Sequence, residues 1–450
     1  MRELGEHMVK APKPLHETSK DWSDAPSSPP VAILEPRSSE EVSQVLAFCN
    51  RLQIPLAIQG GMTGLVGGAN SMPGEAVLSL AKLNRIEHID TTAGTALIQA
   101  GVTLEQLQNA AEEHDWFFPL DLGARGSCQL GGNAATNAGG NRVIRYGMMR
   151  NAILGLEVIL ADGTRLERLD TVIKNNAGFD LKQLFIGSEG QLGVITQLVI
   201  QLQPRPTARC TALCALDGLT KSTQLLKLLK GVLPELSAFE VMWSDYVHES
   251  ARLQGLALPF QAQYPIYVLI ETLGHDLSLS VSAVENALQQ ALHDEVILDA
   301  VLAQSEQQAQ KLWSYREGVS ELLTALKPCA AFDVSVSLPK MQALVLDLQE
   351  ELTNRFKEQH HLFFGHLGDG NLHLISGPYP DPEDLHALEE LTYQRIAAYG
   401  GSISAEHGIG VVKREFLHHS KSKEEIDLMA QLKKLLDPKS ILNPQRVIPS

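Results

Sequence analysis

The sequence predicts an α+β fold in two parts, followed by a helical C-terminal segment. Three observations carry that prediction. From residue 31 to about 204, short apolar strands alternate with amphipathic helices and long glycine-rich runs. From 206 to 399, strand and helix repeat twice, which suggests a split βαβ sandwich. At 450 residues the chain is too long for one simple core. The expected organisation is therefore an N-terminal extension (1–30), a first domain (31–205), a second domain (206–399) and a C-terminal segment (400–450).

The elements follow in order. Pro26, Pro29 and Pro30 make the end of the extension an extended entry segment rather than a helix. A strand at 31–34 leads to a helix at 38–52, with Glu40 and Glu41 in its first turn and Val42, Val45, Leu46 and Cys49 as its apolar stripe. Strands are expected at 55–58, 77–80, 86–89, 96–100, 153–160 and 194–201, and a helix at 104–114. In the second domain, helices are expected at 216–233, 277–293, 304–326 and 340–360, with strands at 266–271 and 332–336. A hairpin at 362–374 and a helix at 423–436 complete the set.

Composition excludes several classes of function. The net charge of −16 disfavours broad nucleic-acid binding. The five cysteines (49, 128, 210, 214, 329) are scattered and form no Cys-x-x-Cys, which argues against an iron–sulfur cluster or a cysteine-rich zinc site. Residues 1–20 carry charges throughout and lack the apolar core of a secretory signal. No run of 18 apolar residues occurs, so no membrane span is expected. A reducing, cytoplasmic location is expected, with peripheral membrane association left open.

The segment from Phe364 to Leu374 places His366 and His373 symmetrically about Asp369-Gly370. Asp-Gly is a strong signal for a two-residue hairpin turn. With that turn the two histidines oppose each other on one face, Cβ atoms roughly 5 Å apart. Glu406 and His407 follow in a second glycine-rich stretch ending at Gly410. Two imidazoles and a carboxylate suit a catalytic metal with open positions. The bland alternative is that these histidines are ordinary surface or core residues.

Three further stretches are almost free of bulky side chains. The first, Gln59 to Gly68, follows a strand and holds Gly60, Gly61, Gly64, Gly67 and Gly68. Its backbone N–H groups can form a nest for a pyrophosphate, although it is neither a dinucleotide fingerprint nor a Walker loop. The second runs from Pro119 to Gly140, with Ser127, Asn133, Thr136 and Asn137 able to hydrogen-bond a large polar ligand. So long a structureless stretch in a compact domain is usually functional. The third, Gly187 to Thr196, has the same character. A cofactor-free tight turn is the alternative for any one of them.

Together these motifs, in this order, resemble the vanillyl-alcohol-oxidase superfamily, and within it the FAD-linked D-2-hydroxyacid dehydrogenases of the D-2-hydroxyglutarate and D-lactate group. The resemblance runs from about residue 31 to the end. It implies a two-part FAD-binding domain, an α/β substrate (cap) domain, and oxidation of a D-2-hydroxy acid with electrons passed to an external acceptor such as electron-transfer flavoprotein or a quinone. It implies FAD contacts from Gln59, Gly60, Gly61, Thr63, Gly64, Gly67 and Gly68, and from Pro119, Asp121, Gly123, Ser127, Gly131, Asn133, Thr136 and Asn137. Glu189 and Gly193 belong to that set; Val194 and Ile195 fall near the adenine and Asn443 near the isoalloxazine. Met62 and Thr63 stand where a flavin-linking histidine might, so FAD is expected to be non-covalent. The resemblance assigns a divalent metal, zinc by preference, to His366, His373 and Glu406, and the substrate carboxylate to Arg316. His407 is the candidate base. A surface salt bridge to Glu317 or Glu321 is the alternative for Arg316. The chain departs from the 2-hydroxyglutarate pattern at Ile375, Ala331 and Ser320, which opens D-malate and D-lactate as substrates. A homodimer is compatible with the sequence. Two other classes compete: a flavin-free metal hydrolase, which leaves the glycine-rich stretches idle, and a non-catalytic flavin electron-transfer subunit, which leaves the histidines and Arg316 idle.

Overall fold

The computed structural model describes residues 4–11 and 20–449. Residues 1–3 and 12–19, part of the stretch judged to lack a secretory signal, lie outside it. The chain divides into two compact units. The first comprises the described residues up to Gly139, then Gly147–Arg205 and everything from Glu406 onward; the second comprises Gly140–Tyr146 and Pro206–Ala405.

The first unit holds two larger sheets and a two-stranded ladder. Its strands are β1 (Val9–Lys10), β2 (Ile33–Leu34), β3 (Leu56–Gln59), β4 (Ala76–Ser79), β5 (Ile86–Asp90), β6 (Thr95–Gln99), β7 (Trp116–Phe117), β8 (Ile153–Ile159), β9 (Arg165–Arg168), β10 (Val194–Gln201) and β11 (Gln203–Pro204). One sheet has the order β1-β2-β4-β3, and β2, β4 and β3 run parallel. The N-terminal extension thus supplies an edge strand, antiparallel to β2. The other sheet, β5-β6-β10-β8-β9, is wholly antiparallel. The helix Ser39–Leu52 starts where Ser38 accepts the Glu41 N–H. Its Val42, Val45, Leu46 and Cys49 are buried at i, i+3, i+4, i+7 spacing in the core of this unit.

The C-terminal segment is built into the first unit. Leu442 bridges to Leu56 of β3; the Leu56 N–H donates to Ile441 and the Asn443 N–H donates to Leu56. Lys433, buried on the helix Lys423–Leu436, donates to the Gln191 and Leu442 carbonyls and to Asp437. Arg446 forms a buried bidentate pair with Glu75.

The second unit is one seven-stranded antiparallel sheet. Its strands are β12 (Ala208–Leu216), β13 (Leu236–Trp243), β14 (Ile266–Gly274), β15 (Asp299–Leu302), β16 (Ala330–Ser335), β17 (His360–Gly365) and β18 (Asn371–Gly377), in the order β15-β12-β14-β13-β17-β18-β16. The first four strands have the split βαβ arrangement: β12 and β13, joined by the helix Leu219–Val232, flank β14. β16 and β17, joined by the helix Leu338–Arg355, flank β18 in the same way.

Three expectations need correction. Residues 304–326 form two helices, Glu306–Glu317 and Val319–Ala325, interrupted at Gly318. Side chains of a neighbouring helix take the carbonyls of the last turn: Gln254 donates to Ser314, Ser250 to Tyr315 and Tyr246 to Arg316. These donors satisfy the carbonyls that a helix end leaves without intrahelical partners. The helix expected from 216 begins at Leu219, because Leu216 closes the apolar strand β12. The stretch from Pro119 to Gly140 is not structureless: it contains the short helix Leu130–Ala135.

Candidate active site

The buried histidines lie at the end of the β17–β18 hairpin. His373 pairs with Phe364, not with His366. The turn is therefore longer than the two residues Asp369 and Gly370. The His366 carbonyl accepts the N–H groups of Asp369 and Asn371, and the Leu367 carbonyl that of Gly370, which winds residues 366–371 into a compact loop. The register differs by two residues from the expected pairing, with Phe364 on β17 opposite His373 and His366 just beyond the strand end. The imidazoles still meet, with ring centroids 5.2 Å apart and planes at 82°. Both residues are buried.

A buried carboxylate unnoticed in the sequence organises this pair. Glu240 on β13 accepts from His366 Nδ1 at 2.7 Å and from Arg316 Nε at 2.8 Å. Burial pushes its carboxyl up, but its contacts with His366 and Arg316 outweigh that and hold it below the ordinary carboxylate range. With Nδ1 committed to Glu240, the lone pair of His366 is on Nε2, the form that ligates a metal. Arg316 Nη2 lies 3.4 Å from that nitrogen. Arg316 forms a buried salt bridge to Glu240. His373 Nδ1 stands 3.9 Å from Asp333, which is fully buried on β16. Phe364 stacks on His373 at 4.9 Å and on Tyr246 at 4.4 Å, and the Arg316 guanidinium sits 4.7 Å over its ring. Glu240 carries no sequence signal: it is one acid in the apolar run Phe239–Met242. A charge at that place in a buried strand was the available hint.

The first unit holds a cavity of about 360 Å³, within the range of small-molecule sites. Of the residues expected to contact a cofactor, Gly60, Gly61, Thr63, Gly64, Gly68, Gly123, Asn133, Thr136, Glu189 and Asn443 line it, together with Glu406 and His407. Trp22, Met62, Leu65, Gln129 and Gly132 line it as well. The remaining expected residues shape its walls or lie elsewhere. Gln59 donates to the Ala69 carbonyl across the first loop. Gly67, with φ at +72°, turns that loop, and Pro119 is buried. Asp121 pairs with Arg125 at 3.1 Å. The Ser127 carbonyl abuts Gly61, where a Cβ would overlap it. Gly131 packs on Ala100, and Asn137 accepts the Arg150 N–H. Gly193 packs on Val158; Val194 and Ile195 are core residues of β10.

Glu189 fastens the segment that carries Glu406 and His407. Its two carboxylate oxygens accept the N–H groups of Ile409 and Gly410, each at 2.8 Å. Burial pushes its carboxyl up, against those two N–H groups and the Lys413 charge. Its carbonyl accepts Asn443 Nδ2 at 2.7 Å, while Asn443 Oδ1 takes the Ile58 N–H at 2.8 Å. Gly408, with φ at +85°, supplies the bend after His407. All five thiols are free, and burial pushes Cys49 and Cys214 up to about 12, away from the thiolate form. Among the described residues, no helix is long and apolar enough to cross a membrane.

The chain matches known proteins over nearly its whole length. Residues 30–168 match a family model described as an FAD binding domain, and residues 205–447 match one described as the C-terminal domain of FAD linked oxidases. The chain is 41% identical over 445 residues to a mitochondrial D-2-hydroxyglutarate dehydrogenase of Rattus norvegicus, covering 98% of this chain and 83% of that protein. It is 38% identical to a D-2-hydroxyglutarate dehydrogenase of Xanthomonas citri pv. viticola, covering 97% and 93%. A putative mitochondrial D-lactate dehydrogenase of Schizosaccharomyces pombe is 39% identical, covering 97% and 85%. Among solved structures, p-cresol methylhydroxylase with bound substrate superposes with a TM-score of 0.77 at 17% identity, covering 99% of this chain and 94% of that one. That similarity carries the fold alone. The chain belongs to the FAD-linked D-2-hydroxyacid dehydrogenases, the family that includes the D-2-hydroxyglutarate dehydrogenases, and is an FAD-dependent oxidoreductase.

Proposed function

We propose that this protein oxidises a D-2-hydroxy acid to the 2-oxo acid, using non-covalent FAD and a divalent metal, zinc by preference, held by His366, His373 and Glu406. One observation supports the metal most directly: Glu240 fixes His366 in the tautomer whose Nε2 can ligate, inside a buried imidazole pair. The chain itself brings Glu406 towards that pair. The Ala405 N–H donates to the Asp333 carbonyl, Asp333 faces His373 in the ladder, and Glu406 is the next residue, about 3.8 Å on. The glycine-lined cavity suits the flexible phosphate and ring system of a dinucleotide, since a Cβ at Gly61 would collide with the loop opposite.

When bound, the flavin accepts a hydride equivalent from the alcohol carbon and the metal acidifies its hydroxyl. The chain's own residues supply the rest. His407 takes the hydroxyl proton. Arg316 offers a guanidinium for the substrate carboxylate, held in orientation by Glu240. Glu189 holds the segment bearing His407. Electrons then pass to an external acceptor, an electron-transfer flavoprotein or a quinone. The mitochondrial names of several relatives and the five free thiols both suit a reducing compartment.

The substrate's distal end meets an apolar pair in this reading. Ala331 and Ile375 face each other across β16 and β18, one same-face step from Asp333 and His373. Neither can bind a second carboxylate, which favours D-lactate over the dicarboxylates D-malate and D-2-hydroxyglutarate.

The test is an anaerobic titration of the purified protein. It should be yellow, and D-lactate, D-malate or D-2-hydroxyglutarate should bleach it while the L-enantiomers do not. A colourless protein, or a flavin that no D-2-hydroxy acid reduces, would end this reading.

A further inference from the structure

The N-terminal segment, outside both matched family regions, contributes a ring to the cavity. Trp22 lines the cavity and is 58% exposed. A lone exposed tryptophan is unremarkable on a mobile chain. Here the chain on either side is fixed. Asp21 is 4% exposed and its N–H donates to Asn70 Oδ1 at 2.8 Å. The Trp22 N–H donates to the Gly64 carbonyl at 2.9 Å. Ser23 bonds back to Asp21 through both its N–H and its hydroxyl. Ala25 is buried against Gly67. The backbone is thus sewn to the first glycine loop on both sides of residue 22, while the indole is left at the cavity wall.

No phenylalanine, tyrosine or second tryptophan lines that cavity among the described residues. The large apolar groups there besides Trp22 are non-aromatic, Met62, Leu65 and Val66 among them. An indole needs a flat partner to gain its full contact area, and it gains most from another ring system. The same cavity is lined by His407, so the ring that must reach its wall is the one that undergoes chemistry.

We propose that Trp22 forms one wall of the flavin site, its indole packed against the isoalloxazine ring. This rests on the cavity being the FAD site. It adds a positioning and binding role for the extended entry segment that precedes the first domain. It also gives the protein a spectroscopic marker, because an indole in contact with an excited flavin donates an electron to it and quenches its emission.

The experiment uses the FAD-loaded protein and two variants. Trp22→Phe keeps a flat ring but removes the electron donor. It should hold FAD nearly as tightly as the native protein while its bound flavin becomes several-fold brighter. Trp22→Ala should also brighten the flavin and release FAD about tenfold faster, the usual scale of a lost ring-stacking contact. Native emission in Trp22→Phe together with native FAD release in Trp22→Ala would overturn the proposal. Native protein that binds no FAD would overturn the underlying reading as well, and that outcome is separately visible before any variant is made.

Discussion

Glu240 and His366, 126 residues apart in sequence, are joined by a 2.7 Å hydrogen bond in the interior of the second unit. The same carboxylate holds Arg316. One buried acid therefore fixes both the tautomer of a candidate metal ligand and the orientation of a candidate substrate-binding guanidinium. Glu240→Gln preserves the volume but removes the charge. Outer-shell partners of this kind are commonly worth about ten- to a hundredfold in metal affinity. The variant should lose bound metal at correspondingly lower chelator concentration while keeping its FAD. Equal metal retention in variant and native protein would show that Glu240 serves only the fold.

Much of the fold was legible because the periodicity was clean. The helix Ser39–Leu52 declared itself by its cap, its acidic first turn and its apolar stripe. The strand Val194–Gln201 was bounded by glycine on one side and proline on the other. What escaped was set by tertiary contacts. At the break before Gly318, three side chains from the helix Ser244–Gln254 satisfy the last carbonyls, which local pattern does not show. The hairpin register failed because Asp369-Gly370 favours a tight turn, while the His366 carbonyl in fact collects two N–H groups and lengthens the loop. The histidines meet nonetheless, their ring centroids 5.2 Å apart. Glu240 and Trp22 lie outside any motif, so only the folded chain reveals what they face.

Glu189 is the acceptor on which the segment after His407 hangs. Glu189→Gln replaces one accepting oxygen with an amide NH2 and leaves either Ile409 or Gly410 without its partner. An unsatisfied buried N–H costs about 1–3 kcal/mol. The loop should loosen before the cofactor is lost, because the glycine-rich walls are untouched. Stopped-flow reduction of the flavin should slow about tenfold or more, by the rate equivalent of that cost. FAD per chain should stay unchanged. A native reduction rate would remove Glu189 from any positioning role.

Gly61 has no room for a side chain, because a Cβ there would overlap the Ser127 carbonyl oxygen. Relief requires the first glycine loop and the second to move apart. Overpacking of this sort costs about 1–3 kcal/mol, or roughly ten- to a hundredfold in affinity if the strain falls on the FAD-bound form. Gly61→Ala should therefore purify depleted of FAD, with the loss partly restored by added cofactor. Full flavin content after gel filtration would mean that the two loops do not clamp the ligand.

His361 makes stability depend on pH. Its Nε2 faces the Phe356 carbonyl at 3.0 Å and must donate there, so Nδ1 accepts from Ser376 at 2.7 Å, and Ser376 in turn bonds Tyr379 at 2.8 Å. A protonated ring would carry a hydrogen on Nδ1 as well, so the Ser376 hydroxyl would have to turn and accept from it. Burial pushes the pKa of His361 below its ordinary value of 6.5; the Phe356 carbonyl opposes this and the neighbouring His360 reinforces it. The unfolded chain therefore takes up a proton first as pH falls. Between the folded pKa and 6.5 the unfolded state binds more protons, so stability rises with pH in that window and is lost as pH falls through it. The thermal midpoint of the native protein should fall between about pH 7 and about pH 5. In His361→Gln, which can still donate to Phe356, the same interval should give a smaller fall, and an identical slope in the two proteins would place the acid sensitivity elsewhere.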